Sequence, residues 1–135
     1  MIIGANMKKI FNIVFVLSIL CCFTLKVQAM TFSEAFSQID KKPMVVLIYA
    51  QWADNYQGCL QAFRTAKNQF GTTFNFVELD IATPEAKAFN NNYQIYPKLP
   101  YALMLRNGGK VSRYLQRDCA SSYSCLTSKL KSFIL

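Results

Sequence analysis

Apolar and polar positions along the chain follow two periods in turn. Thr31-Phe32-Ser33-Glu34 has the spacing of a capping box and predicts a short helix over residues 31–40, which Lys41-Lys42-Pro43 breaks. Residues 44–50 form a continuous apolar, β-branched run, the pattern of a central strand covered on both faces. A helical period then predicts a helix over residues 54–70. Asp54 and Gln57 have cap-and-glutamine spacing, Leu60, Phe63, Ala66 and Phe70 form the inner stripe, and Gly71 is the stop. Residues 73–81 read as the next strand. Thr83 as cap and Pro84 at the first helical position open another helix, which runs out at Asn90-Asn91-Asn92. After a proline-rich approach at residues 97–100, strands are expected at 101–106 and 110–115, joined by Asn107-Gly108-Gly109. A last helix takes residues 126–134. The order α, β, α, β, α, β, β, α predicts a mixed sheet with helices on both faces.

The first 29 residues have a different pattern. Lys8 and Lys9 precede an apolar stretch over residues 10–25 that is broken only by Asn12, Ser18 and Thr24, and Val27-Gln28-Ala29 supplies small residues for cleavage. This is the pattern of an export signal, so the expected domain is residues 30–135 and the expected location is the periplasm or the exterior. The alternative is an uncleaved anchor. The apolar run is shorter than the roughly 20 residues that span a bilayer, which favours cleavage. Cys21 and Cys22 would leave with the signal, and neither follows the small residue that a lipid-anchor signal needs. Membrane attachment is therefore expected only through an uncleaved signal.

Charge changes the picture little. The chain has 15 Lys+Arg against 7 Asp+Glu; without Lys8, Lys9 and Lys26 the balance is 12 against 7. The basic residues are scattered, with no run longer than Lys41-Lys42, as on a solvated surface rather than a nucleic-acid interface. There is no histidine, which removes His-based metal sites and His-activated nucleophiles. No metal and no cofactor is expected.

Three landmarks carry a family resemblance. Val45-Val-Leu-Ile-Tyr-Ala-Gln-Trp-Ala-Asp-Asn-Tyr56 resembles the strand-to-helix turn of thioredoxins, in which Ala-x-Trp precedes Cys-x-x-Cys. Leu99-Pro100-Tyr101, followed by an apolar strand and Asn107-Gly108-Gly109, resembles their cis-proline, its strand and the turn after it. Lys129-Leu-Lys-Ser-Phe-Ile134 resembles their C-terminal helix. The resemblance implies a three-layer α/β/α thioredoxin-like sandwich with a mixed four-stranded sheet. It also shows what is missing: Ala53 and Tyr56 stand where the two thiols belong, and neither can act as nucleophile or resolving group in dithiol exchange. Leu47 stands where thioredoxins carry a buried acid.

The remaining chemistry rests on three cysteines and one surface. Cys59, a helical turn beyond Tyr56, reads either as a displaced nucleophile or as a small buried hydrophobe beside Leu60 and Phe63. Cys119 and Cys125 lie in an insertion of about six residues relative to thioredoxins. They read as a structural disulfide of an exported protein, or as a transplanted redox couple. In thioredoxins the residue before the cis-proline pairs with an extended substrate beside the active-site Trp. The resemblance therefore places a binding surface at Trp52, Tyr56, Leu99, Pro100 and Tyr101, suited to a protein or extended peptide.

The expected function is an exported, non-catalytic thioredoxin-like module that binds a protein or peptide, or serves as an envelope accessory subunit. The alternative is an atypical thiol–disulfide oxidoreductase using Cys59 or the Cys119–Cys125 pair.

Overall fold

The structure is a computed structural model that describes residues 30–135; the expected leader at residues 1–29 lies outside the described residues. Four strands, β1 (Met44–Tyr49), β2 (Asn75–Asp80), β3 (Tyr101–Arg106) and β4 (Val111–Leu115), form one sheet in the order β2-β1-β3-β4. β1 pairs parallel with β2 and antiparallel with β3, and β3 pairs antiparallel with β4. Five helices complete the domain: α1 (Phe32–Ser37), α2 (Tyr56–Phe70), α3 (Glu85–Asn92), α4 (Arg117–Ala120) and α5 (Tyr123–Phe133). Among the described residues no helix is long and apolar enough to cross a membrane.

The continuous apolar run of β1 has the expected consequence. Successive side chains point to opposite faces, so Val45 and Leu47 enter one core while Met44, Val46 and Ile48 enter the other, all fully buried. The first core holds Phe63 and Phe70 of α2 and Leu126, Leu130 and Phe133 of α5. The second holds Phe32 of α1, Phe89 of α3, and Leu99, Tyr101 and Leu103. Burying each such side chain contributes roughly 1.5–3 kcal/mol, which makes the two-sided sheet the main source of stability.

The local signals account for most element ends. Thr31 caps α1, its hydroxyl accepting from the Glu34 N–H at 3.1 Å. The Glu85 carboxylate accepts from the Phe32 N–H at 3.2 Å, which ties the start of α1 to α3. Asn107, Gly108 and Gly109 all take positive φ, so the β3–β4 turn needs residues that tolerate the left-handed region.

Four expectations are corrected. The helix after β1 begins at Tyr56, and its N-cap is Asn55 in the left-handed conformation, not Asp54. A left-handed Asn55 closes the turn more tightly than a capping Asp54 would and leaves the Asp54 carboxylate outside the helix. Thr83 does not cap α3; its hydroxyl donates back to the Asp80 carbonyl at 2.6 Å, and Pro84 is the residue before the helix. β2 begins at Asn75 rather than residue 73, because the Phe74 N–H is spent on the Phe70 carbonyl at the end of α2. Finally, the insertion is helical. It contains α4, and α5 begins three residues earlier than expected because the Ser122 hydroxyl caps it through the Cys125 N–H.

Candidate functional site

The turn after β1 runs from buried Ala50 through Gln51 and Trp52 to buried Ala53, whose N–H donates to the Ala50 carbonyl at 3.0 Å. Ala53 fits into the second core with Leu99 and Tyr101. This closed turn leaves Trp52 no inward direction, and its ring is 74% exposed. Asn55 then carries the chain into α2 with φ 59°. A Cβ on Gly58 would meet the Asn55 side chain, so the present Asn55 rotamer depends on glycine at that position.

Trp52 overhangs an open groove of about 550 Å³. Ala53 and Asp54 form one wall, Pro97, Lys98 and Leu99 the second, and Tyr114 with Gln116, Arg117 and Asp118 the third. The approach to Pro97 is braced from below by Tyr101, whose hydroxyl accepts from the Tyr96 N–H at 3.2 Å and donates to the Gln94 carbonyl at 3.4 Å. Tyr96, Tyr101 and Tyr114 pack together with ring centroids 5.1–5.5 Å apart, so buried Tyr101 supports two half-exposed rings. Burial raises the Tyr101 hydroxyl pKa above its ordinary value, and it remains a neutral donor. The Leu99-Pro100 peptide is cis, and the Leu99 N–H donates to the Pro97 carbonyl at 3.1 Å.

No protein-family model and no curated protein matches the chain. Solved structures do. A chain of the ferredoxin:thioredoxin reductase–thioredoxin f2 complex aligns over 81% of this chain and 93% of its own, at 17% identity and a TM-score of 0.62. The Malassezia sympodialis thioredoxin Mala s 13 aligns over 79% and 90%, at 18% identity and a TM-score of 0.61. The germline-specific thioredoxin Deadhead of Drosophila melanogaster aligns over 78% and 97%, at 14% identity and a TM-score of 0.58. The chain has the thioredoxin fold. At these identities the likeness carries the fold and no activity.

Within that fold the expected surface is differently composed. Trp52 and Leu99 border the groove. Tyr56 instead turns toward the first core and stacks on Tyr49, with centroids 6.0 Å and planes 4° apart. Pro100 and Tyr101 are buried, the latter because odd-numbered β3 residues face the second core. Asp54, Pro97, Lys98, Tyr114, Arg117 and Asp118 line the groove without having been expected on this surface. Tyr114 had a readable signal, since it is the aromatic of an edge strand that must pair next to β3. Arg117 and Asp118 had none, because their position depends on α4.

The cysteines separate into two kinds. Cys119 and Cys125 form a disulfide, with Cα atoms 5.1 Å apart, that joins the start of α5 to α4. Cys59 is free and fully buried. Its thiol is 3.9 Å from the Arg117 carbonyl, and burial pushes its pKa up to about 11, with Arg117 opposing weakly. At neutral pH only about one Cys59 in ten thousand would be thiolate. Leu47, where the family resemblance implies an acid, is fully buried in the same core. Among the described residues no group of three or more metal-ligating side chains converges.

Proposed function

We propose that this thioredoxin-type module is an exported, non-catalytic domain that holds a protein or extended peptide in the groove beneath Trp52. The observation that carries this reading is the 74% exposure of Trp52 over a groove whose walls include the buried apolar side chains of Ala53 and Leu99. An indole in that position offers a large rigid contact area and one N–H donor. Because the Leu99 N–H is already used by Pro97, the partner is gripped mainly by side chains: Trp52 and Tyr114 on its apolar parts, Asp54, Lys98, Arg117 and Asp118 on its polar ones. The Leu99 backbone supplies less of the pairing than the family resemblance implied. The apolar leader at residues 1–29 supports export.

Trp52 is the chain's single tryptophan, so its emission reports on the groove directly. Adding a reduced, carboxymethylated polypeptide should blue-shift that emission saturably. Emission that stays unchanged up to millimolar peptide sinks the reading.

The rival reading, thiol–disulfide exchange, has one observation in its favour. Cys119 and Cys125 are both partly exposed and line a recess with Tyr114 and Lys129. The reduction potential of that bond separates the two: below about −300 mV it is structural, and near −120 to −230 mV it is a working couple.

A further inference from the structure

At the opposite end of the sheet from Trp52, β3 ends at Arg106, one residue beyond the Leu105–Met44 pair. Its guanidinium carbon lies over the Phe133 ring, 5.1 Å from the centroid. Its Nε is buried with no hydrogen-bond partner, and it is the single side-chain nitrogen or oxygen in that condition among the described residues. Buried donors are nearly always satisfied, so Arg106 carries a charge and a donor that the surrounding protein leaves uncompensated. We propose that this end of the sheet is a binding site for a terminal phosphate group, either inorganic phosphate or a monoester carried on a headgroup.

The surroundings fit that ligand. Arg106 opens onto a recess of about 320 Å³ that it shares with Asp40, Lys41, Lys42, Thr73 and Asn107. Three cations and one carboxylate face it. The carboxylate does not neutralise the guanidinium: among the described residues the one ion pair within 4.0 Å is Arg64–Glu78, on another part of the surface. Asp40 instead lies against the β3–β4 turn, its Oδ1 3.1 Å from where a Cβ on Gly108 would be. Lys42 is held in place by donating from Nζ to the Gly71 carbonyl at 3.0 Å, which leaves its other ammonium protons for a ligand. The Phe133 ring restricts the space open to the guanidinium, so less rotamer freedom remains to be lost when a tetrahedral oxyanion meets its planar fork. Thr73 and Asn107 place a hydroxyl and an amide at the rim. The recess shares no residue with the Trp52 groove, and the proposal stands or falls without it.

The test is a titration of the ¹⁵N-labelled full chain, solubilised in neutral detergent, with inorganic phosphate against chloride at matched ionic strength. The Arg106 Nε–H resonance should shift saturably with phosphate and not with chloride. Arg106→Gln should weaken binding about tenfold or more, the scale of a lost charge-assisted hydrogen bond. Since Arg106→Gln removes a core-edge contact, Lys41→Gln provides a second variant on an exposed position, and it should weaken binding about two- to fivefold. A parallel arm uses vesicles of phosphatidylcholine with and without phosphatidic acid. Retention that requires phosphatidic acid and is lost in Arg106→Gln, with no response to free phosphate, assigns the same site to a headgroup. Identical shifts with chloride and phosphate, together with no dependence of vesicle retention on phosphatidic acid, overturn the proposal and leave an ordered water as the acceptor of Nε.

Discussion

Tyr56 stacks on Tyr49 across the exit of β1, with ring planes 4° apart, so the side chain that the family resemblance sets at the second thiol's position is bound to the sheet. The Tyr56 hydroxyl accepts from Gln57 at 3.3 Å, and its ring covers the first core. Such a pair contributes about 0.5–1.5 kcal/mol beyond its buried area. Tyr56 and Trp52, four residues apart, should therefore respond to mutation in opposite ways. Tyr56→Ala should lower the urea unfolding free energy by about 1–3 kcal/mol and leave peptide affinity within about twofold. Trp52→Ala should leave stability within about 0.5 kcal/mol, because the ring is exposed, and reduce peptide affinity at least tenfold. A stability loss at Trp52 matching that at Tyr56 would mean that the indole is structural.

Cys59 sets an alkaline limit on stability. In the unfolded chain its thiol ionises near 9, and in the fold it stays protonated to about 11. Between those values the unfolded state binds fewer protons than the folded one, so stability falls as pH rises through that window. Tyr49, Tyr93 and Tyr101, all raised above their ordinary 10 chiefly by burial, extend the loss in the same direction. Denaturant midpoints measured from pH 7 to 10.5 should decline, and Cys59→Ala should remove the first part of that decline. In native protein at pH 7, alkylation of Cys59 should be slower than that of a free thiol by two orders of magnitude or more. Rapid labelling at pH 7 would instead restore it as a candidate nucleophile.

A third prediction concerns Leu47, which is fully buried in the same core as Cys59. Leu47→Asp would place a carboxyl where the family resemblance implies one, but in an apolar core whose one thiol among the described residues, Cys59, stays protonated. The substitution should cost at least about 3 kcal/mol at neutral pH. The buried acid would have a raised pKa, so the penalty should be smallest below about pH 4 and grow as pH rises. Urea denaturation at pH 4 and pH 7 checks both the size and the sign. A penalty that is flat with pH would show that the carboxyl reaches water.

Much of this was readable before the fold was known, and the failures have physical causes. β1 and the two-sided core follow from seven consecutive apolar residues, and the mixed four-stranded sheet follows from the family landmarks, whereas its order β2-β1-β3-β4 comes from the structure. Asp54 reads as a cap because cap spacing is a local signal. The competing left-handed conformation of Asn55 depends on how the turn meets the sheet. Tyr101 was placed on a binding surface by its position next to Pro100, but strand alternation turns it into the core as a brace for residues 94–96. The groove itself was only half legible. Trp52 and Leu99 come from elements with clear patterns, whereas Arg117 and Asp118 are carried by a one-turn helix that no periodicity announces.

That short helix links the disulfide to the groove. α4 has four residues, too few to be stable alone, and its C-terminal half is fixed by the Cys119–Cys125 bond to α5. Its other side presents Arg117 and Asp118 to the groove, and the Arg117 carbonyl faces Cys59. Closing a loop of about seven residues contributes roughly 2 kcal/mol in the loop-entropy model. Cys119→Ser with Cys125→Ser should lower stability by about that amount, measured by urea unfolding under non-reducing conditions. It should also loosen α4, so peptide affinity should fall several-fold while the emission maximum of free Trp52 stays the same, because Trp52 is held by the separate turn at Ala50 and Ala53. Asp118→Ala in the intact disulfide form distinguishes contact from support. If Asp118 touches the partner, affinity drops with no change in stability; if the wall acts only as a rim, the disulfide variant alone weakens binding. Unchanged affinity in both variants would confine the grip on the partner to Trp52, Tyr114 and the loop before Pro100.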